Sequence, residues 1–187
     1  MVFTIISRLV NGVKEGVKSG LTGVSDVGGA VIGLVKNTTV SMLKGTTDIV
    51  TAGVDAAGSI VKGAVSGAAD IGVAVVGTIK GIVTGTVKGF MESGGKQDDA
   101  IKGAVGQAIH SAKELGLNVG ETAVEVVKGA VEAVKDVGGD TFDATKTAVI
   151  AAVDAAAEIG GGTVETVKST LSESIDGAKK IIEEVKK

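Results

Sequence analysis

Large apolar side chains recur at every eleventh position of this chain: Val10, Leu21, Ile32, Leu43, Val54, Val65, Val76, Val87, Ile109, Val131, Phe142, Val153, Val164 and Ile175. Asp98 and Gly120 interrupt the ladder. Companion ladders run three, six and seven residues later; the last includes Val17, Val50, Val61, Val83, Val105, Val127, Val149 and Leu171. Eleven residues in three turns is about 3.67 per turn, close to the 3.6 of an α-helix. Placed around a helix at about 98° per residue, the apolar ladders share one arc. A lysine ladder borders that arc, with Lys14, Lys36, Lys80, Lys102 and Lys135 among its members. Acids follow, one series including Asp26, Asp48, Asp70, Glu92, Glu114, Asp136 and Glu158. A strip of small residues completes the circle: Gly12, Gly23, Gly45, Ala56, Gly67, Gly89, Ala100, Ala133, Ala144 and Ala155. Acids and lysines three residues apart, such as Asp99 with Lys102 and Glu132 with Lys135, are placed to pair on an exposed helix face.

This pattern predicts an all-α protein of very long hendecad-repeat helices. An eleven-residue repeat favours a straight or right-handed coiled coil or bundle over the left-handed supercoil of heptads. One polar stretch, Glu92 to Asp99, divides the chain. It suggests a helical hairpin: a first helix over 1–92, a turn at 93–97 and a second helix over 98–187, with Asp98 or Asp99 as its cap. The apolar ladder keeps its phase across this stretch, so one continuous helix of up to ~280 Å is the alternative. The charge of the halves supports pairing, since 1–92 is net basic and 93–187 net acidic.

Composition sharpens the packing. The 187 residues include 30 glycines, three phenylalanines and no proline, cysteine, tryptophan or tyrosine. Glycine inside a helix costs about 1 kcal/mol relative to alanine. Helices this rich in glycine need a packing partner, and the small strip suits close backbone approach. The absence of cysteine excludes disulfides, zinc–thiolate sites and thiol nucleophiles. A net charge of −3, mixed in sign, gives no reason to expect nucleic acid. The apolar start, Met1 to Gly12, lacks the basic leader of a signal peptide, and the best membrane-span candidate, between Lys62 and Lys80, is short and carries Asp70. A cytoplasmic location is the expectation.

No catalytic constellation emerges, and no cofactor or metal is expected. His110, the only histidine, falls on an acidic ladder and reads as a solvated repeat position. Glu121 and Glu125 share a helix face without converging histidines, so they read as surface charge. The runs Gly28-Gly29 and Gly160-Gly161-Gly162 lack the lysine–serine pattern of a phosphate loop.

Stretches such as Asn11 to Lys18 and Val126 to Val131 resemble the lysine–glycine–valine repeats of synucleins. The wider organisation resembles the hendecad regions of perilipins and the helices of bacterial phasin-like granule coat proteins. The resemblance lies in period and composition and implies a helix that lies on an apolar surface or assembles with its own kind. Two expectations follow. The first is a non-enzymatic structural protein, a homo-oligomer whose fourteen-residue ladder is the assembly face of a bundle, sheath or filament-like scaffold. The alternative is a peripheral coat on membranes, lipid droplets or polymer granules. The small-residue border favours the first.

Overall fold

The computed structural model describes residues 2–44 and 53–185. The described residues are all-α, as the periodicity requires, and contain no strand. They form α1 (Val2–Leu21), α2 (Val27–Leu43), α3 (Gly53–Asp70), α4 (Val76–Glu92), α5 (Gln97–Glu114), α6 (Val119–Asp136), α7 (Thr141–Ile159), α8 (Thr163–Ser174) and α9 (Ala178–Val185). The expected pair of very long helices, and the single continuous helix, are therefore both corrected: the longest described helix has 20 residues. The ladder members Gly45, Asp48 and Val50 lie outside the described residues.

Glycine at positive φ ends helices α3 to α7. Gly72, Gly94, Gly116, Gly138 and Gly160 all have φ between 70° and 90°, and each stands two hendecads after the one before. At the first four, the chain closes the same pair of terminal hydrogen bonds. Gly94 N–H donates to Met91 O at 3.0 Å and Gly95 N–H to Phe90 O at 2.9 Å; Val73, Leu117 and Gly139 repeat the longer bond onto Ala68, Ala112 and Val134. This is the Schellman arrangement, which satisfies the last carbonyls of a helix and needs a residue free to take positive φ. Asn118 and Asp140 then cap α6 and α7 by accepting backbone N–H bonds. Asp98 and Asp99 do not cap α5; they lie in its first turn, with Lys96 at the cap position.

One helix plus one turn thus occupies two hendecads. Each turn returns the chain to the same phase, so the ladder runs through the breaks without slipping. The connection at Ser93 to Lys96 is one of several equivalent ones. The two interruptions of the ladder have the same origin. Val54, Val76, Asp98, Gly120, Phe142 and Val164 all fall at the first or second residue of a helix, where the ladder meets a turn.

Each helix packs most extensively on the helix two places along the chain and less on its immediate neighbour. Helices α1, α3, α5 and α7 therefore form one layer and α2, α4, α6 and α8 a second. Contact positions rise together along α1 and α3, Val10 with Gly63 and Lys14 with Gly67, and along α2 and α4, so helices within a layer run parallel. The result is a repeat-built, two-layer helical bundle of the solenoid kind, with α9 resting on α7 and α8. Between the layers lie Val61, Val83, Val105, Val127, Val149 and Leu171, all fully buried and each two hendecads from the next.

Glycine sets the spacing within a layer. Gly63 and Gly67 of α3 seat on the backbone of α1 at Val10 and Lys14; Gly85 and Gly89 of α4 seat on α2 at Ile32 and Lys36. A Cβ on Gly67 would lie 2.5 Å from Lys14 O, and one on Gly85 would lie 2.6 Å from Ile32 O. The same approach recurs at Gly129 of α6, where Thr84 Oγ1 also donates to the Gly129 carbonyl at 3.2 Å. Much of the small-residue strip thus does face helix–helix contacts, with Ala56, Ala100, Ala133, Ala144 and Ala155 all buried. Gly12 faces Met42, whereas Gly23 serves a turn.

Charges also pair across helices. Lys14 meets Asp70 and Lys36 meets Glu92, both at 3.0 Å; Lys88 meets Asp136; Lys80 lies 3.7 Å from Glu125 and 3.8 Å from Glu132. The expected pairs of Asp99 with Lys102 and Glu132 with Lys135 do not form among the described residues; Glu132 turns instead to Lys80, which the parallel helix alongside brings near. Only Glu125 and Lys128 pair at three-residue spacing among the described residues.

Candidate binding groove

The fourteen-residue ladder does not form one continuous outer face. Leu21, Leu43, Val65, Val87 and Ile109 are buried within the chain. Val10, Ile32, Val76, Val131, Val153, Val164 and Ile175 are half-buried, and Val54 and Phe142 are exposed, Phe142 at 79%. The packing partner that the glycine-rich helices require is supplied inside one molecule: each layer covers the other.

A groove of about 810 Å³ crosses α1, α3, α5 and α7. Its position follows from the repeat. Gly58, Gly103, Gly106, Ala151 and Ala155 line it with little or no side chain. Nothing lies within 4 Å of where a Cβ on Gly106 would sit. Polar side chains also line the groove: Asn11 from α1, Asp55 and Lys62 from α3, Lys102, Gln107 and His110 from α5, Asp154 and Glu158 from α7. Val10 and Val54 are the two ladder residues that reach it.

His110 is not merely solvated. Its Nε2 lies 2.9 Å from Glu158 Oε2, so the imidazole and the carboxylate link α5 to α7. This contact occupies the place that Lys88 and Asp136, each two hendecads earlier, take between α4 and α6. Gln107 Nε2 donates to Ser111 Oγ at 3.3 Å. Lys62, Lys102, Asp55 and Asp154 make no ion pair within the described chain. Among the described residues no three histidine, aspartate or glutamate side chains converge as metal ligands would. Glu121 and Glu125 do not act together: Glu125 is held by Lys80 and Lys128, and Glu121 is exposed.

The groove was not legible as a unit in steps of eleven. Only every second helix belongs to its layer, so the informative step is four hendecads. His110 and Asp154 are related by that step, as are Gly58 and Lys102, and Gln107 and Ala151. No described helix is long and apolar enough to cross a membrane. Comparison with protein-family models, curated proteins and solved structures finds no match for this chain.

Proposed function

We propose that the chain is a non-enzymatic structural protein, a helical-repeat scaffold that self-associates into a larger assembly. The observation that carries this reading is the open end of the repeat at α2. Lys36, the one charge in α2, reaches toward Glu92 of α4. The other side of α2 exposes Gly33, Asn37 and Ser41 and bears no charge, while Leu34 packs at Gly20 of α1. Repeat proteins normally end in a polar cap, because a helix that expects a neighbour on both sides otherwise leaves one side open. An uncharged end of this kind suits a second copy, and an end-to-face contact between identical chains builds rings or filaments.

Sedimentation across a concentration series tests this. The expected result is species heavier than the 18.3 kDa chain, giving way to monomer on dilution or when Asn37 and Ser41 are changed to glutamate. A monomer at every concentration would sink the reading. The lipid-coat alternative draws on the same apolar ladders. It requires the layers to part, since Val61, Val83, Val105 and Val127 face inward. Loss of multimers with retention of helix on anionic vesicles would favour it.

A further inference from the structure

The last described helix, α9, covers the end of the repeat and fits it poorly. It packs on α7 and α8 but has 8 residues, against 17 in α4 and 18 in α6. Its buried residues are Ala178, Ile181 and Ile182, and Val185 at its end is exposed. A crevice of about 220 Å³ remains beneath it, lined by Val149, Ile150 and Val153 of α7, Val164 of α8, and Ile181 and Ile182 of α9. Close-packed interiors leave few voids larger than a water molecule. A helix this short does not hold in water by itself, so α9 is helical only while it is seated.

The surface under α9 is one half of an interface that the chain already builds elsewhere. In α2, Ile32 and Lys36 carry α4: a Cβ on Gly85 would lie 2.6 Å from Ile32 O, and one on Gly89 would lie 2.8 Å from Lys36 O. Twelve hendecads later, Val164 and Lys168 hold those positions in α8, and both line the crevice. The other half stands at the opposite end of the molecule. Gly77, Gly81 and Gly85 of α4 correspond, four hendecads earlier, to Gly33, Asn37 and Ser41 on the exposed side of α2. We propose that α9 is a displaceable plug: it covers the surface of α7 and α8 on which α2 of a second copy stacks, so end-to-end assembly requires α9 to leave its seat. This rests on the self-association reading and adds its control. A second copy then binds with an affinity reduced by the fraction of molecules whose α9 is displaced. Asn37 and Ser41 add side chains where α4 has none, so the contact between copies is looser than that between α2 and α4.

The test combines hydrogen exchange with sedimentation on the full chain. Amides of α9 are expected to lose protection as the chain assembles, while those of α8 keep theirs. The pair Ile181→Ser and Ile182→Ser should tighten association roughly tenfold or more. A synthetic peptide of residues 175–187 should reverse that gain, and Asn37→Glu with Ser41→Glu in the same chain should abolish it. If the double serine variant does not fold, Ile182→Ala supplies the same reading with a smaller effect. Multimers in which α9 stays protected would overturn the plug and leave self-association standing. So would a tightened association that survives the two glutamates, because bared apolar surface then sticks without regard to α2. Monomer at every concentration, in the native chain and the variant alike, would remove both readings.

Discussion

Gly85 and Gly33 both lie inside helices, yet their surroundings assign them opposite roles. At Gly85 an added Cβ would meet the Ile32 carbonyl oxygen at 2.6 Å and the Lys36 nitrogen at 3.1 Å, both backbone atoms that cannot swing away. At Gly33 nothing lies within 4 Å. Alanine gains about 1 kcal/mol of helix propensity at either site. Overpacking costs about 1–3 kcal/mol where the neighbour cannot yield. Gly85→Ala should therefore lower the midpoint of urea unfolding, and Gly33→Ala should raise it. If both raise it, the close backbone approach between α2 and α4 is not what holds that layer. The sequence carried the glycine strip plainly, because period and helix geometry together fix which positions share a side. It did not say whose backbone would fill the strip, since a partner inside the chain and a partner outside it leave the same pattern.

Between elements, the acids two residues before the turn glycines have a particular task. A negative charge at a helix C-terminus opposes the helix dipole. Asp70, Glu92, Glu114, Asp136 and Glu158 occupy that position, and all but Glu114 are met by a base from the helix two places earlier in the chain. At Asp136 the hydrogen bond from Lys88, together with that lysine's charge, holds the carboxyl below its ordinary range; burial opposes this weakly, and Lys135 adds a little. A carboxyl whose folded pKa is depressed contributes stability above the unfolded value, near pH 4, and loses it as the pH falls through the folded value. Lys88→Met should move the Asp136 titration midpoint upward in a carbon-detected NMR experiment. The stability gap between the two proteins should close as the pH falls from about 4 toward the lowered midpoint. An unchanged midpoint would mean that the contact is not formed in solution. These acids were visible beforehand as one ladder at even spacing, but a continuous helix and a chain of equal helix-plus-turn units give that spacing alike. The positive φ of the glycines distinguishes them.

For the whole molecule, the length of two hendecads per unit and the alternation of layers make a joint prediction. Deleting residues 93–136 removes α5, α6 and their connections, joins Glu92 to the turn that precedes α7, and returns each remaining helix to its own layer. That protein should keep its helicity per residue and unfold cooperatively, at a lower urea midpoint because fewer units support one another. Deleting 115–136 alone removes α6 and moves α7 into the opposite layer, where Val149 keeps the inward place of Val127 but Ala151 replaces Gly129, at which an added Cβ would lie 2.8 Å from Thr84 Oγ1 and 3.0 Å from Lys80 O. It should lose cooperative unfolding. Equal behaviour of the two deletions would argue against two distinct layers. The all-α class and the inward-facing valines were readable from periodicity; the groove was not, because its residues come together only when helices are counted in twos.

The short reach of each helix also bears on how the protein carries load. The main partners of every described helix lie within two places along the chain, so no extensive contact among the described residues ties the first helices to the last. Tension applied between the ends is then borne by one pair of parallel helices after another rather than by the whole core at once. Each unit that gives way would release two hendecads, or ~75 Å of extended chain, while the rest stays folded. A molecule built this way behaves as an extensible spring with discrete steps.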